Sequence, residues 1–237
     1  MSRSVPIVGW IVDAQVDFMD PDGRLYVKNW ADEHDPGSLS IVPALERVVA
    51  WMYDRCDIVV FTGDWHALGD DEIDPVDPDP VRGTYPPHCM GRSGDESERV
   101  GALVIPEIRP EDPLVLPIGA DGTTAATVAR RAVSERRPVF IQKDRFDVFT
   151  GNHATEAFLD ALATALGARP ELVVAGVARD VCVTRAIDGM QDRGYAVTAL
   201  SDATWGLGLE AESVTLARWA RRGRVTTVGG LVAGDGA

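Results

Sequence analysis

Three residues of unlike chemistry stand at the ends of apolar segments that read as buried strands. Asp13 closes residues 6–13, Lys143 closes residues 138–143, and Cys182 lies six residues past Gly176, where the next helix is expected to begin. A carboxylate beside a thiol can take its proton, while a neighbouring ammonium stabilises the thiolate and keeps the carboxylate ionised. Free amides and the dipole at a helix start favour thiolate too, which predicts a nucleophilic Cys182. Each residue also has an ordinary reading: Cys182 as a small buried hydrophobe, Asp13 as a turn former, Lys143 as a solvated terminal charge. Their joint position at strand ends favours catalysis.

A second group is built for a cation. Asp64 closes another strand-like run, 57–64, and Asp64-Trp65-His66 offers two ligands on one turn. His88, in Tyr85-Pro-Pro-His88-Cys89, supplies a third from a loop stiffened by prolines. An Asp/His/His set with open positions suits a divalent metal holding water or substrate. Glu72 is a further candidate ligand, directly or through water, and reads equally as one more acid in an acidic loop. Cys89 is expected to pack, because its side chain should point away from that of His88. His34, His153 and Cys56 read as structural or exposed. The glycine-rich pieces Gly119-Ala-Asp-Gly122 and Gly206-Leu-Gly208 match neither the dinucleotide fingerprint nor the P-loop, so no nucleotide cofactor is expected.

The elements that must position these groups alternate along the chain. Helices are predicted over 41–53, 123–137, 152–166, 182–193 and 210–222, and strands over 6–13, 57–64, 138–143, 172–176, 195–200 and 225–228. Residues 66–99 are rich in Pro, Gly and Asp and read as a loop; the metal and substrate loop spans about 64–99. The tail 229–237 is expected to fray. Strand–helix alternation without repeat or linker predicts a single α/β domain over 1–237, with a mainly parallel sheet covered on both faces and ligands bound beyond its carboxyl ends.

Composition narrows the function classes. With 237 residues, 45% of them hydrophobic, one core is within reach. Lys and Arg total 23 against 37 Asp and Glu, a net charge of −14 that repels nucleic acid and anionic lipid. The longest apolar run, near 172–178, is far shorter than the roughly 20 residues of a membrane span. The N-terminal Met1-Ser-Arg-Ser-Val-Pro has no signal-type apolar region, so a cytoplasmic location is expected. Three cysteines, unevenly spaced, make no disulfide framework and leave at least one thiol free.

With the motifs assembled, the chain resembles the isochorismatase-like cysteine hydrolases, and among them the nicotinamidase type. The resemblance is carried by Ile11-Val-Asp13-Ala-Gln15-Val-Asp17-Phe18, by Thr62-Gly-Asp64-Trp65-His66 with Pro86-Pro-His88-Cys89, by Lys143 through Asn152, and by Gly176-Val-Ala178-Arg-Asp180-Val-Cys182-Val-Thr184. It spans about residues 6–205 and implies a three-layer α/β/α sandwich around a Rossmann-like sheet. By resemblance Asp13 is the base, Lys143 the thiolate stabiliser and Cys182 the nucleophile. Asp64, His66 and His88 would hold one divalent ion, zinc by preference, with manganese or iron as alternatives.

The resemblance further implies a cis peptide at Val177–Ala178 and an oxyanion hole from the Ala178 and Cys182 amides. Phe18 and Tyr85 would flank the substrate ring, with Gln15 also contacting substrate. The implied reaction is hydrolysis of a small amide, nicotinamide first, by a homo-oligomer. The chain departs from the family pattern at Val16, Arg179 and Tyr85, and in an added helix-like stretch over about 118–137, all of which bear on substrate identity. Open alternatives are another small amide or carbamoyl compound, a phosphoryl-transfer domain using Asp13 and Lys143, and a non-catalytic binding module. Vinyl-ether cleavage of isochorismate itself would leave Asp64, His66 and His88 unexplained.

Overall fold

The computed structural model describes residues 5–234. Among them, seven strands form one sheet with all neighbours parallel: β1 (Ile7–Val12), β2 (Ile58–Asp64), β3 (Leu114–Leu116), β4 (Val139–Lys143), β5 (Glu171–Val177), β6 (Val197–Trp205) and β7 (Arg224–Thr226). Their order is β3-β4-β2-β1-β5-β6-β7. The helices are α1 (Val16–Met19), α2 (Val42–Arg55), α3 (Glu96–Arg99), α4 (Gly122–Glu135), α5 (Val148–Gly151), α6 (Thr155–Leu166), α7 (Thr184–Asp192), α8 (Glu212–Ala220) and α9 (Val228–Gly234). None of them is long and apolar enough to cross a membrane.

Two cores lie on opposite faces of the sheet. In β1, Val8, Trp10 and Val12 join the core under α4, α6, α7 and Trp219 of α8, whereas Ile11 joins the core with α1, α2 and α9. Side chains alternate across a strand, so a strand covered on both faces reads as the continuous apolar runs seen in the sequence. Chain direction across the sheet reverses at β1, which has β2 on one side and β5 on the other. Crevices at such switch points are where α/β sheets bind ligands. The ends of β4, β2, β1 and β5 bring Lys143, Asp64, Asp13 and the Ala178–Cys182 segment to that crevice.

Three segments differ from the sequence reading. β3 was not foreseen: it has three residues and lies between Pro113 and Pro117, too short to show a period. Its pairing with β4 makes α4 the crossover helix of a β-α-β unit, which accounts for the stretch read as an addition. Strand β6 continues past the polar pair Ser201-Asp202 to Trp205. The first part of the tail is helical, α9: Asp202 Oδ1 accepts the Val228 amide at 2.7 Å, Thr227 Oγ1 accepts that of Gly230 at 3.0 Å, and Val228 and Leu231 are buried. These caps anchor α9 despite its glycines. The rest of that expectation, 235–237, lies outside the described residues.

Candidate active site and metal centre

β1 ends at Val12, and Asp13 turns the chain with φ of 49°, a left-handed conformation that Asp tolerates better than most residues. Beside it β5 approaches so closely that a Cβ on Gly176, itself at φ 124°, would strike the Val12 carbonyl. Asp13 is fully buried; its Oδ1 accepts a 2.7 Å hydrogen bond from Thr62 Oγ1, and its Oδ2 lies 2.8 Å from Lys143 Nζ. Lys143 also pairs with Asp64 Oδ1 and stands 4.0 Å from Cys182 Sγ. The ammonium thus fills the space where Asp13, Asp64 and Cys182 converge.

Cys182 follows the cis Val177–Ala178 peptide. The chain then makes one π turn over Arg179–Val183, closed by Val183 N–H donating to Ala178 O at 3.1 Å, and runs on into α7. Single π turns are frequent at functional sites. Cys182 is buried. Burial drives its thiol well above the ordinary range, with the Asp13 and Asp64 charges adding to it and Lys143 opposing. Burial also raises Asp13 against the pull of Lys143, so the carboxylate is a ready proton acceptor. Asp64 goes the other way. Burial would raise it, but Lys143, His66 and His88 hold it well below the carboxylate range, and Lys143 is kept charged by Asp13 and Asp64 despite its burial.

The other oxygen of Asp64 faces two histidines. His66 Nε2 and His88 Nε2 each lie 3.7 Å from Asp64 Oδ2, and one ligand atom from each of the three residues falls within 4.8 Å of the others. His66 Nδ1 donates to Asp70 Oδ2 at 3.0 Å, and His88 Nδ1 donates to the Pro86 carbonyl at 2.7 Å. The Nε2 atoms are thereby left facing Asp64, and the buried His66 Nε2 makes no hydrogen bond. An orphaned imidazole nitrogen beside a carboxylate and a second imidazole fits a divalent ion. Without the ion, burial disfavours a charged His66, but Asp64 and Asp70 outweigh it and lift the ring to about 9.

The remaining sequence candidates fall into place unevenly. Phe18, Tyr85, Ala178 and Cys182 line a narrow, partly open cavity, with Leu25, Val27, Phe146 and Leu207 on its apolar walls and Asp64, Glu72 and His88 as its charged or polar ones. The ring centroids of Phe18 and Tyr85 lie 5.2 and 6.2 Å from that of His88. Glu72 is on the wall but outside the converging ligand set. Both its oxygens accept the Phe146 amide, at 3.0 and 2.8 Å, and burial, with help from Asp64, raises its carboxyl to about 8.

Gln15 departs from the substrate-binding expectation. Its Nε2 donates to Asp64 O and Ala102 O at 2.8 and 2.7 Å, and its Oε1 accepts the Asp64 amide at 2.7 Å. Beyond the end of β1, the side-chain amide acts as the next peptide of that strand and holds Asp64 in place. Cys89 packs as expected, with its amide on Asp17 Oδ2 at 2.6 Å. His34 and His153 are exposed, and Cys56 is half-buried. Sequence reasoning missed Thr62, which stands two residues before Asp64, and the Asp70–Arg92 pair behind His66. Thr62 could have been found from its position in the same strand end; Asp70 carried no signal inside an acid-rich loop.

The isochorismatase domain family matches residues 10–229. Solved structures of similar fold include PnC1 from L. infantum in complex with nicotinate, 22% identical with TM-score 0.66, covering 97% of this chain and 96% of that one. Pyrazinamidase of Pyrococcus horikoshii in complex with zinc is 21% identical with TM-score 0.62, covering 93% and 98%. N-carbamoylsarcosine amidase from Thermoplasma acidophilum is 20% identical with TM-score 0.62, covering 94% and 96%. At these identities the likeness is one of fold. No curated protein sequence matches the chain.

Proposed function

The chain belongs to the isochorismatase family of hydrolases, and from that premise we propose that it is a metal-assisted cysteine amidohydrolase acting on a neutral aromatic carboxamide, nicotinamide first. The observation that carries the reading is the cavity itself. Cys182, His88 and Asp64 line it together with Glu72 and aromatic and aliphatic side chains, and among the described residues no Lys or Arg lines it. N-carbamoylsarcosine and isochorismate both carry carboxylates, for which these walls offer no basic side chain. A flat, uncharged ring with one amide matches them.

In the proposed reaction, Asp13 takes the Cys182 proton as sulfur attacks the amide carbon. The Ala178 and Cys182 amides stabilise the resulting oxyanion, Asp13 returns the proton to the leaving nitrogen, and ammonia departs from a thioester. Asp13 then takes a proton from water, whose oxygen adds to the thioester carbon; the carbon–sulfur bond breaks, sulfur recovers that proton from Asp13, and the carboxylic acid leaves, giving up its own proton to solvent to become carboxylate. Lys143 holds Asp13 ionised and steadies sulfur as its proton leaves. Phe18 and Tyr85 flank the ring. Asp64, His66 and His88 would hold a divalent ion, zinc by preference, which supplies a Lewis-acid contact for a pyridine nitrogen.

Ammonia release from nicotinamide by the purified protein tests the reading, with chelation, restoration by zinc or manganese, and Cys182→Ala alongside. Release that requires both metal and Cys182 supports it. Turnover of N-carbamoylsarcosine in preference to nicotinamide would overturn the substrate, and full activity of Cys182→Ala would overturn the mechanism.

A further inference from the structure

We infer that Asp70, braced by Arg92, is the positioning residue that fixes the ring of His66 for metal binding; the inference rests on the metal reading above. One oxygen of Asp70 gathers three donors: His66 Nδ1 at 3.0 Å, the Ala67 amide at 3.0 Å, and Arg92 Nη2. Arg92 is tied down in turn, since its Nε donates to Trp65 O at 2.8 Å and its own amide to His66 O at 3.0 Å. The His66 amide donates to Cys89 O at 2.9 Å. Main chain and ring of His66 are therefore held from both sides, and the ring is wholly buried.

Chemistry sets the consequence. A carboxylate accepts only, so Nδ1 must carry the proton of the hydrogen bond, and Nε2, on the side of Asp64, is the nitrogen whose lone pair is free for an ion when the ring is neutral. A ring flip would turn carbon toward Asp70 and lose that bond inside a buried pocket. The carboxylate also makes His66 a more basic ligand than His88, whose Nδ1 leans on a neutral carbonyl. Arg92 extends the brace to the catalytic-lysine segment, with Nη2 3.8 Å from Asp144 Oδ2.

The test is zinc affinity of the full chain by competition with a chromophoric chelator, for the native sequence, Asp70→Asn, Arg92→Gln and His88→Ala. Asp70→Asn keeps the size of the side chain and removes its charge. Its zinc affinity is expected to fall by about 10- to 100-fold, with a smaller fall for Arg92→Gln, whatever the amide activity. A role confined to holding the loop would lower the melting temperature of the zinc-free variant and leave the affinity of its folded protein unchanged, which overturns the inference. If the native protein binds no zinc more tightly than His88→Ala does, the metal reading falls and takes the inference with it. Should Asp70→Asn not fold, the nitrogen-15 spectrum of the zinc-loaded native protein decides: a proton on His66 Nδ1 and zinc on Nε2 are expected, and the reverse refutes the assignment.

Discussion

Replacing Gln15 with Met removes an amide and keeps side-chain length in a site that is fully buried. Three hydrogen bonds go with it, leaving the Asp64 amide, the Asp64 carbonyl and the Ala102 carbonyl without the partner that replaces strand β1 at that level. At about 1 kcal/mol net for each bond, and more where a buried group stays unpaired, the loss is about 3 kcal/mol or above. That is roughly two orders of magnitude in the folding equilibrium, and for a chain of this size about 6–12 °C in melting temperature. Urea unfolding followed by tryptophan fluorescence, with unchanged slope, measures it. Zinc affinity should drop in the same protein, because the main chain carrying Asp64 is no longer held. A loss under about 1 kcal/mol with native zinc affinity would refute the idea that this side chain completes the sheet, and would return Gln15 to the substrate-binding role.

Other substitutions separate the two halves of the site. Cys182→Ala should fold normally and release no ammonia from any amide, checked by circular dichroism and a coupled ammonia assay. Lys143→Met should cost about 3–5 kcal/mol, measured by denaturant unfolding, because it leaves Asp13 and Asp64 buried without their shared counter-charge. Glu72→Gln should gain on the native protein as pH rises. A carboxyl raised to about 8 from an ordinary 4.5 stabilises the metal-free fold fully below 4.5 and loses that contribution as pH climbs through 8, whereas Gln does not titrate. Melting temperatures of the two metal-free proteins from pH 5 to 9 should therefore diverge upward in favour of Gln. Zinc affinity should stay near native in Glu72→Gln, and a fall of about tenfold would make Glu72 a ligand.

The central sheet and the reactive groups were legible because burial on both faces leaves an unmistakable mark. Each of Asp13, Asp64 and Lys143 interrupts an apolar run at the level where the sheet stops, and a charge there has little reason to exist except for the site it serves. What failed to show was interaction without pattern. β3 is too short for periodicity, and α9 depends on caps from Asp202 and Thr227 that only the folded chain brings near. Gln15 was placed by its motif but not by its bonds, since a polar residue beside a site reads alike whether it faces substrate or main chain. The burial of Cys182, which pushes its thiol up, could not be read from a helix start alone. Asp70 was hidden by its acidic neighbours: composition records how many carboxylates a loop has, not which one a histidine finds.

Lys143 sits between Asp13 and Asp64; in the proposed reading the first serves the sulfur and the second the ion. One ammonium is therefore shared by both carboxylates, and substitutions at Asp13 and Asp64 are expected to be non-additive. A lineage that altered its ion-binding ligands would first expose a buried charge imbalance to the nucleophile, and one that altered the nucleophile's acid would do the same to the ligands. Non-additivity of this size is expected only where side chains share a partner. Exchange of Asp13 or of Asp64 alone is expected to leave the buried ammonium half paired and to damage both centres at once. The apolar walls away from the His88 ring, Leu25, Val27 and Leu207 among them, carry none of that shared charge.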